Sequence, residues 1–123
     1  GTAVMTDREL LELAAMAYWG SEIDDVCSIR WLEEDQCIGY THADNQDHNG
    51  NDVELCWNPR LDDGDAFRLA VQLDIEVRHV NGAAHAGRAN YFWCTEDWFP
   101  DGDKVAATRR AITLAASSIG RKL

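Results

Sequence analysis

Along this chain the spacing of apolar residues switches repeatedly between periods of about 3.6 and 2, and each switch marks an element. Thr6-Asp7-Arg8-Glu9 has the form of a capping box. Leu10, Leu13, Ala14, Ala17 and Tyr18 follow on one helical face, and Gly20 stands where the helix should stop. Ser21–Val26 reads as an acidic connector. Ser28–Leu32 alternates Ile29 and Trp31 with Arg30, which suits a half-buried strand. Glu33–Gln36 is a charged turn and Cys37–Thr41 a returning strand. The run ADNQDHNGND from Ala43 to Asp52 is too polar to pack and predicts an exposed loop turning at Asn49-Gly50.

The stretch Val53–Leu73 organises what surrounds it. An alternating strand (Val53, Leu55, Trp57) runs into Asn58-Pro59, where proline forbids continuation of either regular element. Asp62 or Asp63 then caps a helix whose face is Ala66, Leu69, Ala70 and Leu73, widened by Phe67 and Val71. Period two returns in Ile75–Val80, Asn81-Gly82 supplies a hairpin turn, and Ala83–Cys94 forms the return strand. Thr95–Asp103 reads as a loop. Asp103 or Asp101 caps a last helix with Val105, Thr108, Ile112, Ala115 and Ile119 along one side, Gly120 as its stop and Arg121-Lys122 at its negative end.

The order α-β(β)-β-α-β-β-α, with one apolar stripe per helix, requires the helices to be covered by strands or by each other. The expected fold is a single-domain α+β sandwich, three helices packed on a mainly antiparallel sheet, spanning residues 5–123. Gly1–Val4, ahead of Met5, read as an expression scar. No run approaches the roughly 18 apolar residues of a membrane span, and no signal-peptide pattern is present. The four cysteines, Cys27, Cys37, Cys56 and Cys94, are scattered without a C-x-x-C pair. That predicts free thiols in a reducing cytoplasm.

Charge changes the picture more than composition does. Residues 22–65 hold thirteen acids and two bases, Arg30 and Arg60, whereas the rest of the chain holds nine of each, so the whole net charge of −11 lies in that stretch. Such asymmetry steers a basic partner or imitates a polyanion, although acidic surfaces also serve solubility alone. Direct nucleic-acid binding is disfavoured, because no basic stripe is available for phosphates.

Trp57-Asn58-Pro59 followed by Asp62-Asp63-Gly64-Asp65-Ala66-Phe67-Arg68-Leu69-Ala70-Val71-Gln72-Leu73 resembles a W-N-P-L-x-D-D-G-D-A-L-R-L-A-V-K-L pattern of small tailed-bacteriophage and prophage proteins. The opening Met5–Ala15 and the closing Ala106–Ile112 are similar to the ends of the same group. The organisation is similar to the phage α-β-α sandwich domain family. This resemblance implies the fold and a phage origin; it carries no activity and no catalytic residue. Residues 21–52 lie outside it.

Candidate chemistry is sparse. Asp62, Asp63 and Asp65 offer oxygen ligands for a hard cation, but their spacing is not that of an EF-hand, and helix capping is the preferred explanation, requiring no further function. His42, Asp44, Asp47 and His48, flanked by Cys37 and Cys56, are zinc-ligand types without the paired short spacings of a structural site. Cys94 with His79 or His85 would be a nucleophile and base lacking an orienting third group. Trp98 and Phe99 straddle a loop and suit an interface, where Trp is enriched.

These readings favour a non-enzymatic phage accessory protein over an enzyme. It would bind a host or phage protein with a basic surface in the host cytoplasm, as an acidic inhibitor or DNA mimic directed at a nucleic-acid-binding or defence protein. The expected contact residues are Glu33, Glu34, Asp35, Asp44, Asp47, Asp62, Asp63, Asp65, Trp98 and Phe99. No catalytic residue, cofactor, metal or membrane contact is assigned, and a homodimer is left open. The alternatives are a small metal-binding module or enzyme built on the His42–His48 loop, and a structural or assembly component of the virion.

Overall fold

The computed structural model describes residues 5–20, 26–89 and 91–122, with the backbone alone for residues 26–28 and 42–45. Gly1–Val4 and most of the acidic connector, residues 21–25, therefore lie outside the described residues. Among those described, three helices, α1 (Asp7–Trp19), α2 (Asp63–Gln72) and α3 (Lys104–Gly120), alternate with six strands. These are β1 (Val26–Leu32), β2 (Cys37–Gln46), β3 (Asp52–Trp57), β4 (Glu76–Val80), β5 (Ala83–Arg88) and β6 (Phe92–Asp97). The expected α+β architecture is present, with every strand pair antiparallel. The strands divide into two three-stranded sheets, β1-β2-β3 and β4-β5-β6, instead of joining in one. Each sheet is a meander closed by short turns, and the excursion through Pro59 and α2 separates them.

Local chemistry explains the helix starts. The Thr6 hydroxyl accepts the Glu9 N–H at 3.1 Å and donates to the Glu9 carboxylate at the same distance, closing the capping box through side chains. Asp62, not Asp63, caps α2 by accepting the Asp65 N–H at 2.7 Å. Asp103, not Asp101, caps α3 by accepting from Val105 and Ala106. Gly120 is not a stop: α3 runs through it, and a Cβ there would collide with the Leu13 carbonyl of α1. Its missing side chain lets the two helices approach.

Three expectations for the strands are corrected. Ala43–Gln46 belong to β2, and β3 begins at Asp52, so the polar loop shrinks to residues 47–51. Main-chain pairing, Gln46 opposite Asp52, extends the hairpin where the side chains carry no burial signal. Ala83–Cys94 is not one strand: a turn in which the Tyr91 N–H donates to the Arg88 carbonyl at 3.0 Å splits it into β5 and β6. β6 in turn takes Thr95–Asp97 from the expected loop.

The two sheets are covered differently. Below β1-β2-β3, Trp57 is 2% exposed and lies in an aromatic nest: Tyr18 stacks on it with centroids 5.5 Å apart, and Trp19 meets it at 5.0 Å. Tyr40 meets Trp19 at 5.0 Å. Against β4-β5-β6 the packing is fine-grained, with buried Ala84 and Ala86 facing an α3 that buries Ala107, Ala111, Ala115 and Ala116. Small residues on both sides let helix and sheet approach closely. Phe67 and Val71 do not widen the buried face of α2; they are 69% and 60% exposed. Val105, on the expected buried side of α3, is also exposed.

Candidate functional site: an acidic sheet end

The ten candidate contact residues fall into four places. Glu33, Glu34 and Asp35 form the tight turn between β1 and β2 and are all exposed. The Gln36 amide anchors the turn by donating to the Glu33 carbonyl at 2.7 Å, and the Trp31 indole donates to the Glu33 carboxylate at 2.8 Å. Asp35 reaches the N-terminus of α2, where Asp62 and Asp65 line with it a concavity of about 270 Å³, together with Cys37, Cys56 and Leu61. Asn58 makes that meeting possible: its side-chain amide donates to the Gln36 carbonyl at 3.0 Å, tying the break after β3 to the turn before β2.

Within the α2 terminus the three aspartates have separate duties. Asp62 is the cap. Asp63 receives Arg109 of α3 at 2.6 Å. Asp65 is buried, accepts the Asn58 N–H at 2.9 Å and pairs with Arg68 at 2.7 Å. Its carboxylate braces the strand-to-helix corner and reaches the concavity only with a small exposed remnant. Asp47 stands at the other end of the sheet, in the β2–β3 loop. Main-chain N–H groups of Asn51 (2.9 Å) and Asn49 (2.8 Å) hold its carboxyl below the usual carboxylate range. Asp44 lies on β2, but its side chain is outside the described residues.

Trp98 and Phe99 are remote from this acidic end, after β6. Trp98 is half-buried, edge-on to His79 with centroids 5.4 Å apart and with the Lys104 ammonium 5.5 Å above its ring. Phe99 is 73% exposed. The sequence-predicted residues are thus not one surface: the structure gathers Glu33, Glu34, Asp35 and Asp62, and leaves Asp47 and the Trp98-Phe99 pair elsewhere.

What makes the turn end distinctive is how the bases of its segment are spent. Arg30 forms a fork with Glu54 at 2.7 and 2.8 Å, reaching past Gly39, where a Cβ would meet Leu32 and Glu54. That pairing lowers the Glu54 pKa. Arg60 pairs with Asp7 at 2.9 Å. Among the described residues, no ion pair uses Glu33, Glu34, Asp35, Asp47 or Asp52.

Cys37 and Cys56 correct the expectation of free thiols, Cys94 meets it, and the side chain of Cys27 lies outside the described residues. Cys37 and Cys56 form a disulfide across β2 and β3, with Cα atoms 6.1 Å apart. The signal was indirect: only the pairing of Gly39 with Cys56 brings Cys37 within reach, diagonally. Bonded to each other, these sulfurs are not thiolate ligands for the His42–His48 loop. Among the described residues no group of three metal-ligating side chains gathers; the side chain of His42 is not among them.

Cys94 is a free thiol, half-buried under α3 and 3.8 Å from the Ser118 hydroxyl. Burial pushes its pKa up, opposite to what a nucleophile requires. Its expected histidine partners are engaged apart from it, His79 with Thr108 at 2.8 Å and His85 with Thr95 at 2.9 Å. His85 projects from the other face of the sheet, since Cys94 pairs with its neighbour Ala86.

The chain matches no family model, no curated protein and no solved structure.

Proposed function

We propose that this chain is an accessory protein of the tailed-phage type that works by binding another protein, with the Glu33–Asp35 turn and the neighbouring Asp62 as its contact surface. The observation that carries this reading is the set of exposed carboxylates on one anchored turn, without basic partners among the described residues, while Arg30 and Arg60 are committed to Glu54 and Asp7. Such a surface costs self-repulsion and gains from a basic partner. The partner fitting it is a host or phage protein with a basic cleft, above all a nucleic-acid-binding or defence protein, toward which the carboxylates stand in for phosphates. The W-N-P and D-D-G-D-A resemblance supports the phage assignment. The compartment that goes with it is the host cytoplasm, whose reducing conditions oppose the Cys37–Cys56 disulfide.

Capture of partners from phage-infected host cells tests the reading. The protein should retain a specific host or phage protein at low ionic strength and lose it steeply as salt rises, because exposed charge pairs are screened beyond about 10 Å at 0.1 M. The triple variant Glu33→Lys, Glu34→Lys, Asp35→Lys should lose it even at low salt. Retention indifferent to both salt and charge reversal refutes the acidic-surface reading.

A further inference from the structure

A second surface lies on the other sheet and involves none of those acids. α2 is pinned at both ends: Arg109 donates to the Arg60 carbonyl and to Asp63 at its start, and Arg88 donates twice to the Leu73 carbonyl at its end. Between the pins, α2 and β4 enclose an open groove of about 1060 Å³ floored by α3. Its apolar walls include Phe67, Val71, Val77 and Val105, exposed by 69, 60, 36 and 52%. β4, one wall of this groove, is an edge strand exposed along its whole length. An unpaired strand edge offers a row of main-chain donors and acceptors to a second chain; here Glu76 and Arg78 lie on it beside Val77.

The hairpin fixes what that edge offers. Asn81 and Gly82 both have positive φ (52° and 78°), which makes a two-residue turn whose flanking pair, Val80 and Ala83, is hydrogen-bonded. By alternation Glu76, Arg78 and Val80 direct their main-chain groups to β5, and Val77 and His79 direct theirs outward. The Trp98 N–H bond to the Gly82 carbonyl agrees, since it places the even-numbered residues of β5 toward β6. The Ile75 N–H is already given to Ala70, so the free edge starts at Val77.

We infer that this edge is a self-association surface, and that a second copy of this chain pairs its β4 antiparallel to the first about a twofold axis at Val77. Three symmetric registers are open to so short an edge, and charge decides among them. Centring on Arg78 sets two arginines opposite each other, which is repulsive; centring on His79 forms no ion pair. Glu76 and Arg78 of one strand already pair at 3.2 Å, and centring on Val77 sets each opposite its counterpart's opposite charge, so that the two ion pairs join in a four-charge cluster of alternating sign across the ladder. Val77 then lies against its counterpart beside the exposed Phe67 and Val71. Long-range charge permits the approach, because residues 66–123 contain six acids and eight bases, whereas the repelling −11 belongs to residues 22–65.

Light scattering and sedimentation over about a hundredfold range of protein concentration test this. The wild-type protein should form a dimer that dissociates on dilution. Glu76→Arg and Arg78→Glu should each weaken the dimer by about tenfold, because each sets two like-charge pairs across the ladder, and the double variant should restore it. Val77→Pro removes an outward N–H without breaking the ladder to β5, so it should give a folded monomer by circular dichroism. A wild-type protein that stays monomeric throughout overturns the inference and leaves the groove to an extended segment of a different protein. A dimer unmoved by the charge variants and by Val77→Pro places self-association on another face.

Discussion

The β1-β2-β3 half and the β4-β5-β6 half solve the same problem, a three-stranded meander against helices, with opposite materials. The first is built around aromatic rings, is closed by the Cys37–Cys56 disulfide and carries the excess acid. The second is built from alanines packed between strand and helix, is near neutral, and leaves a strand edge open. Each half is therefore suited to a different kind of contact. A surface crowded with carboxylates selects partners by charge, while a neutral surface with an unpaired strand selects them by main-chain pairing.

Substitutions that remove a large ring should break the comparison hardest. Trp57→Ala deletes the centre of the aromatic nest and should cost about 3–5 kcal/mol in denaturant unfolding. Trp93→Ala, on the second sheet, removes a ring 38% exposed and held under Arg78 at 4.9 Å, and should cost about 1 kcal/mol. Comparable losses at both positions would mean that the two halves are not stabilised differently. Next in size, replacing Cys37 and Cys56 together by alanine should lower stability by about 2–4 kcal/mol, read from the same unfolding curves with and without reductant. A variant insensitive to reductant but as stable as the oxidised wild type would show that the bond adds nothing.

The smallest effect is a pH dependence carried by two carboxylates of the β1-β2-β3 half. The folded-state pKa values of Asp47 and Glu54 are depressed, so the stability they contribute is present above the ordinary carboxylate range and is lost as pH falls through the depressed values. Asp47→Ala and Glu54→Gln should therefore differ from wild type at neutral pH and converge with it in acid. Divergence that grows in acid would reverse the sign.

Much of the fold was legible because its signals are local. Thr6, Asp62 and Asp103 cap within three residues of themselves, and Asn81-Gly82 carries its own turn geometry. What was not legible depends on partners distant in sequence. The extension of β2 to Gln46 comes from main-chain pairing with Asp52, which side-chain polarity does not record. The disulfide depends on the register of β2 on β3. Phe67 and Val71 carry the helical period of a buried stripe, yet no element among the described residues covers them. The candidate site was half legible: the charge excess could be counted, but the inward turn of Asp65 and the gathering of Asp35 with Asp62 needed the corner that Asn58 builds.

The most direct test sets the two halves against each other on one partner. A protein captured from infected cells is bound to immobilised wild type, to the Glu33→Lys, Glu34→Lys, Asp35→Lys variant and to Val77→Lys, and dissociation constants are measured at two salt concentrations. If the acidic turn is the contact surface, the triple reversal abolishes binding, Val77→Lys leaves each copy's binding intact, and added salt weakens wild type and Val77→Lys alike. Binding lost in Val77→Lys and kept in the triple variant would contradict the account and move the site to the other sheet.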